Sequence, residues 1–209
     1  PLPDRSIATL KARMWARQGR LTEALSWVRE QGLSSDDTLS YMCEFDHLTL
    51  ARVLIARHQS DREDSGIQVA SGLLARLLQA AEEGGRNGSM IEILILQSLA
   101  YQAQGDQPRA LAALERALTL AEPEGYVHVF VDEGEPIHEL IADYKLQLNK
   151  QKCSPNHKLI GYTDKLLAVF SPNKEKSTIV NPLSTMVAPE VRAAKDVRVE
   201  PLSDRELEV

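Results

Sequence analysis

The sequence predicts an all-α protein of stacked antiparallel helical hairpins with an extended C-terminal linker, and three observations support this fold class. Apolar residues recur at i, i+3, i+4 and i+7 in several stretches, the spacing that lines one face of an α-helix. Residues 105–111 match 19–25 in the turn glycine and in the Ala-Leu pair. The turn centres near 19, 62 and 105 are about 43 residues apart, a period typical of helical units that bury a core only when at least three stack.

The first 31 residues are predicted to form the first hairpin. Its two helices are separated by Gly19, and Gly32 ends the second. Trp15 and Trp27 are large enough to stack on a sugar ring, but their helical spacing favours the core. The helical faces are marked by Ile7, Leu10, Met14 and Trp15, and then by Ala24, Leu25, Trp27 and Val28.

The second hairpin is predicted over residues 48–81. Its first helix is marked by apolar residues over 48–55 and its second by apolar residues over 67–81. The joint at 58–65 is polar, and Asp64 and Ser65 are both candidates for the N-cap of the second helix.

The third hairpin, residues 91–121, is the most strongly patterned. Residues 91–103 are apolar on nearly every side, as in a helix packed between neighbours. Gly105 can adopt the left-handed conformation that ends this helix. Asp106 can act as the N-cap of the next helix, and Pro108 fits in the first turn of that helix. The second helix carries a narrow face of small residues: Ala110, Ala113, Leu114, Ala117, Leu118 and Ala121. Another helix should therefore approach closely.

Two segments have an alternative interpretation, a phosphate-binding loop for the first and a strand for the second. The glycine-rich stretch 84–89 lacks the Gly-Lys-Ser/Thr ending and the preceding strand of a phosphate-binding loop, so it is predicted to be a turn between repeats. Residues 125–131 have strand propensity. A lone strand would have no partner, so a short helix is predicted, followed by a helix marked by Ile137, Leu140, Ile141 and Tyr144.

Charge and proline content divide the rest of the chain. Residues 1–144 hold 13 Lys+Arg against 22 Asp+Glu, whereas 145–198 hold 10 against 4. The predicted domains are therefore a helical repeat domain over 1–144, a basic segment with a helix packing on the repeats over 145–170, and a linker over 171–201. The helix is marked by apolar residues over 159–170.

The composition excludes several classes of function. No run of 18 apolar residues occurs, so no membrane span is expected, and no secretory signal is visible. A net charge of −6 argues against nucleic-acid binding by this chain itself. Cys43 and Cys153 are isolated, which is typical of thiols in a reducing cytoplasm.

No motif of an enzyme or metal site is present. The five histidines show no metal-ligand spacing, and neither a G-x-S-x-G elbow nor a cysteine nucleophile motif occurs. The acidic cluster around Asp132, Glu133, Glu135 and His138 lacks the pattern of a calcium loop and is interpreted as solvated and helix-capping. We therefore expect neither enzyme activity nor a cofactor.

Two parts of the chain carry a family resemblance. Residues 202–209, LSDRELEV, resemble the opening of the LuxR-type helix-turn-helix, with Ser203 and Glu206 as a capping box. The helical region resembles, at 105–111, 121–126 and 129–134, the tetratricopeptide-like sensor segment of the MalT-type large ATP-binding LuxR regulators. The likeness covers most of residues 7–170 and the last eight, whereas 145–157 and 171–201 match poorly.

In that family an ATPase precedes the helical repeats and a DNA-binding domain follows them. The resemblance implies that this chain is the middle piece, which contacts DNA only through the C-terminal domain of the full-length protein. It implies effector sensing: a small-molecule inducer or a regulatory protein binds the repeats and shifts the regulator towards self-association. Such a shift requires different affinities for the two states.

The first helix of each hairpin usually lines the inner surface of such an array. Polar residues on those helices are therefore predicted contacts of a ligand or partner, namely Arg13, Arg17, Arg52, Gln97 and Tyr101. The alternative is that they are ordinary solvated or core-edge side chains. The alternative function is a protein-interaction scaffold of tetratricopeptide type without a small ligand.

Overall fold

The computed structural model describes the backbone of residues 2–61, 64–150 and 157–170, and the side chains of 7–61, 66–150 and 158–170. Within these ranges the chain forms nine α-helices, one 3-10 helix at Tyr41–Cys43 and no β-strand, which confirms the predicted fold class. The predicted linker, 171–201, and the predicted start of a helix-turn-helix, 202–209, lie outside them. The helices are α1 Leu2–Arg17, α2 Leu21–Gln31, α3 Glu44–Asp61, α4 Asp64–Glu83, α5 Asn87–Ala103, α6 Gln107–Ala121, α7 His128–Val131, α8 Glu135–Lys150 and α9 His157–Phe170.

The three predicted hairpins are present and stack in order. They are the pairs α1 and α2, α3 and α4, and α5 and α6, and each second helix also contacts the first helix of the next unit. The first helices contact one another as well, α1 on α3 and α3 on α5, while α8 continues this row by packing on α5 and α6. We call the row α1, α3, α5 and α8 the inner row. It brings residues far apart in sequence side by side.

The third hairpin, α5 and α6, folds as its sequence predicts. Residues 93–100 of α5 are all buried, because α5 contacts α3, α4, α6 and α8. The narrow face of α6 is fully buried too, with Ala110 and Ala117 at 0% exposure. Gly105 has a φ of +77°, a conformation that costs glycine little. The Asp106 side chain accepts a hydrogen bond from the backbone N–H of Arg109 at 3.2 Å.

The Asp106 cap supports a first prediction. Asp106→Ala should lower the free energy of unfolding by about 1 kcal/mol, because the first turn of α6 loses a side-chain acceptor for an otherwise unpaired N–H group. The measurement is urea unfolding followed by circular dichroism. Asp36→Ala is the control, since Asp36 lies exposed outside any helix. Equal midpoints for the two variants would contradict the cap.

The first hairpin differs from the others in what covers it. Trp27 is buried at 2% exposure and Trp15 is partly buried. Ile7, Leu10 and Met14, which mark one face of α1, are exposed at 51%, 49% and 58%. The predicted face is therefore wrong as the packing face of α1, and none of the described helices covers it. The residues of α1 that are buried lie elsewhere on the helix: Thr9, Ala12 and Ala16.

The last three helices close the array. The short helix predicted within 125–131 is confirmed as α7, whose Phe130 is fully buried and meets the Tyr162 ring edge-on at 6.3 Å. The Tyr162 hydroxyl donates to the Tyr126 carbonyl, and burial, followed by the charge of Glu122, raises the pKa of Tyr162 to about 12. Helix α9 packs on α6, α7 and α8, where the sequence placed a helix.

Helix α8 extends through the boundary predicted after residue 144. It continues to Lys150, because Leu148 on this polar stretch is buried at 6% exposure and keeps the helical face in the core. The division of the chain into domains stays a prediction. Over the described residues, no helix has the length and apolar character that crossing a membrane requires.

Candidate functional site

Four charged side chains meet on the inner row, and we call them the charged cluster: Arg13, Arg52, Glu92 and Glu133. The first three come from α1, α3 and α5, and Glu133 comes from the turn between α7 and α8. They lie together because α1, α3 and α5 pack side by side and α8 continues the row. The cluster therefore joins all three hairpins to the C-terminal helices.

The two arginines share the two carboxylates. Arg52 Nη2 donates to Glu92 Oε1 at 2.8 Å and to Glu133 Oε1 at 2.5 Å. Arg13 Nη1 donates to Glu92 Oε1 at 3.1 Å, and Arg13 Nη2 lies 3.5 Å from Glu133 Oε1. The formal charges balance, so two ionised arginines are accommodated in a largely buried position.

Arg52 is the more deeply buried of the two arginines, with 5% of its surface exposed. Burial by itself disfavours the charged guanidinium, but the negative charges of Glu133 and Glu92 outweigh it. The pKa of Arg52 is consequently raised above its ordinary value. The side chain is a permanent cation in the interior.

A cavity of about 350 Å³ lies beside the cluster. Its volume falls at the lower end of the range of small-molecule sites, about 300–1,000 Å³. We call it the inner cavity. It is lined by Ala16 and Arg17 of α1, Arg52, Ile55, Ala56 and Gln59 of α3, Leu96 and Leu99 of α5, and residues 133–136 before and in α8.

Arg52 has hydrogen-bonding capacity that the described residues do not use. Its Nη2 serves both carboxylates, whereas its Nε and Nη1 are buried and have no partner among the described residues. A buried donor left without a partner costs about 1–3 kcal/mol. Both atoms have almost no accessible surface, so an oxygen atom in the inner cavity removes that cost only when the Arg52 side chain turns towards it.

The structure brings together three of the five residues predicted to contact a ligand or partner. Arg13 and Arg52 share Glu92, and Arg17 and Arg52 line the same cavity. Gln97 is buried at 8% exposure on α5 but does not line that cavity. Tyr101 is also on α5, with the Arg109 guanidinium of α6 at 5.9 Å from its ring, and it does not line the cavity either. Ligand contact by these residues stays a prediction.

The two acids of the cluster are not among the site residues predicted from the sequence. Glu133 was interpreted as part of a solvated, helix-capping group, and this is wrong, because its side chain is only 6% exposed and is paired with Arg52. Asp132 and Glu135 of that group are exposed. Glu92 had a signal, since it is the single charged residue in the apolar run 90–100. Among the described residues, no group of His, Cys, Asp and Glu is arranged to hold a metal ion.

A second cavity, of about 510 Å³, lies between α1 and α2. It is lined by Trp15 and Trp27, and the Trp27 Nε1 has no partner among the described residues. Every residue that lines it belongs to the first hairpin. A ligand there would touch one hairpin, whereas a ligand in the inner cavity would touch α1, α3, α5 and the turn before α8.

Comparison with known proteins gave one match. The family model described as the MalT-like TPR region matches residues 3–147, which include the inner row from α1 through most of α8. No curated protein and no solved structure matches the chain. The matched region covers more than half of the 209 residues, and the chain belongs to the family of MalT-like TPR regions.

Proposed function

We propose that this chain is the effector-sensing domain of a LuxR-type transcription regulator and that a small-molecule effector binds in the inner cavity beside Arg52. The observation that carries the proposal is a buried cation with two unpartnered donor atoms beside a cavity of ligand size. The regulator context is supported by the family match over residues 3–147 and by the resemblance of 202–209 to the start of a helix-turn-helix.

The position of the inner cavity suits a sensor. Arg17, Leu96 and Pro136 line it from three separate elements, α1, α5 and α8. A ligand that touches all of them binds one arrangement of these elements better than another. Such a difference in affinity is what a ligand needs to shift a protein between two states.

The charged cluster gives the sensor a means of response. The pair Arg52 and Glu133 links residues 81 positions apart, and Arg13 and Glu92 are 79 apart. A ligand that takes up hydrogen bonds from Arg52 changes how the two carboxylates are shared. The turn before α8 is then held differently against α1 and α3, which is how binding would reach the C-terminal helices.

Calorimetry with a cavity-filling variant tests the location of the site. The 209-residue chain is titrated with sugars, amino acids and phenolic metabolites, and at least one should give heat. Ala56→Phe should abolish that heat, because Ala56 lines the inner cavity and a phenyl ring would occupy it. Ala75→Phe is the matched control, since Ala75 is exposed on α4 and lines none of the cavities described above.

The titrations distinguish a ligand in the inner cavity from a ligand bound elsewhere. Heat retained by Ala56→Phe would place the ligand elsewhere and contradict the proposed site. Both variants are compared with the parent by circular dichroism, so that a loss of heat in a folded Ala56→Phe variant reports on the cavity alone. An absence of heat with every compound tested would contradict small-molecule sensing by this chain.

The second candidate function is a protein-interaction scaffold, and the exposed apolar face of α1 favours it. Ile7, Leu10 and Met14 lie on one face of that helix, each about half exposed. Apolar faces of this kind mark many protein-binding surfaces. A pull-down from native cell extract that returns one stoichiometric protein, and loses it with Leu10→Asp, would favour the scaffold. An empty pull-down together with a calorimetric signal would favour the sensor.

A further inference from the structure

We infer that the ligand of the inner cavity is an organic anion, with a carboxylate that binds between Arg52 and Arg17 and an apolar body that packs on Ile55, Leu96 and Leu99. This inference rests on the proposed function, because it names the chemical class of the effector for the same cavity. The evidence for it is that hydrogen-bond donors around the cavity lack partners.

One oxygen atom of each acid of the cluster is already paired with arginine. Glu92 Oε1 accepts from Arg13 and Arg52, and Glu133 Oε1 accepts from Arg52 with Arg13 Nη2 at 3.5 Å. The cation at the centre is not saturated, since Arg52 Nε and Nη1 have no partner among the described residues. Among the described residues that line the cavity, the buried polar atoms without a partner are these two donors of a cation, which calls for an acceptor on the ligand once Arg52 turns towards the cavity.

The rim adds a second cation. Arg17 lines the cavity, is exposed, and forms no ion pair or hydrogen bond with any described residue. The other charged group at the rim, Glu135, has its Oε1 3.3 Å from His138 Nδ1. The formal charges of the lining residues cancel, so the selection of an anion comes from unpaired donors rather than from net charge. Guanidinium groups bind carboxylates strongly through charge-assisted hydrogen bonds.

The remaining wall determines the body of the ligand. Ile55, Leu96 and Leu99 line the cavity and are otherwise buried, at 5%, 1% and 7% exposure. Contact with an apolar group would remove their last exposed surface from water. A ligand that carries hydroxyl groups along its whole length would leave several of them without partners against this wall. An aliphatic or aromatic acid fits both ends of the cavity.

The test uses acid and amide pairs that differ only in charge. Hexanoate is compared with hexanamide, and phenylacetate with phenylacetamide, by calorimetry on the 209-residue chain. At least one acid should bind. Its amide should bind at least about tenfold more weakly, because the amide cannot form the charge-assisted hydrogen bond of the acid. The acid should also bind more weakly at high salt, because its partner Arg17 is exposed.

Two variants report on the residues that hold the carboxylate. Arg17→Gln should weaken binding of the acid about three- to fivefold and leave the amide unchanged, as the loss of one exposed ion pair requires. Arg29→Gln is the matched control, since Arg29 is an exposed arginine in the last turn of the neighbouring helix α2. Glu133→Gln should strengthen binding of the acid by about tenfold, because it removes the competing carboxylate from Arg52. A merely structural role of Glu133 would not produce tighter binding.

Failure of the inference can be told apart from failure of the proposed function. Equal affinity for acid and amide, lost in Ala56→Phe, would overturn the inference and leave the cavity as the effector site. Binding of a neutral sugar or amino acid there, with no binding of either acid, would have the same meaning. An absence of binding by every compound in both panels would overturn the two together.

Discussion

Ala110→Asp is expected to lower the free energy of unfolding by about 3 kcal/mol or more. Ala110 is completely buried on the small-residue face of α6, a helix that packs on α5, α8 and α9. An aspartate there would be an unpaired charge at a position that is closed to water. For a chain of this length the melting temperature should fall by about 10 °C, at about 2–4 °C for each kcal/mol.

The control is two residues away on the same helix. Ala112 is exposed, so Ala112→Asp introduces the same charge in the same helix without burying it. Its free energy of unfolding should stay within about 0.5 kcal/mol of the parent. Melting curves that do not distinguish the two variants would show that the small-residue face of α6 is not a helix contact.

Arg52→Met is expected to have the second large effect, a loss of about 3–5 kcal/mol in the free energy of unfolding. The side chain of Glu133 is 6% exposed, and without Arg52 its closest cation is Arg13, whose Nη2 lies 3.5 Å away. Glu92 loses a partner as well. Methionine retains most of the volume of the arginine stem, so the loss comes from leaving two acids with Arg13 as their one remaining partner in the cluster.

A double-mutant cycle separates the charge from the packing. Adding Glu133→Gln to Arg52→Met should restore about half or more of the lost free energy, because the double variant no longer buries that unpaired acid. Arg116→Gln is the control, since Arg116 and Glu82 form a pair that is 48% and 39% exposed. That pair should contribute less than about 1 kcal/mol. Urea unfolding of the four proteins measures the cycle, and strictly additive effects would contradict coupling between Arg52 and Glu133.

The helices were predictable because their signals are local. Gly105, Asp106 and Pro108 fix a turn within four residues, and the structure shows the left-handed glycine and the side-chain cap there. The case of α7 is more instructive, because strand propensity favoured the wrong structure at His128–Val131. A strand would have had no partner strand in a helical array, and the helix predicted for this reason is correct.

The charged cluster could not be predicted in the same way. Glu133 stands among Asp132 and Glu135, so its local pattern is that of a solvated acidic turn. What buries it is the pairing with Arg52 and the nearby Arg13, which are 81 and 120 positions away. Hydrophobic periodicity carries no information about contacts of this range. Glu92 was the better clue, since a charge in the middle of an apolar helix needs a partner.

The contact between Arg13 and Glu133 joins one residue near the beginning of the array to another near its end. In an array whose units touch only their immediate neighbours, curvature changes by small steps along the whole length and the ends fray independently. This contact bypasses the intermediate units and fixes the distance between the two ends. Widening of the inner row between α1 and the turn before α8 therefore has to separate this contact, and moving that turn away from α3 has to separate Arg52 from Glu133 as well.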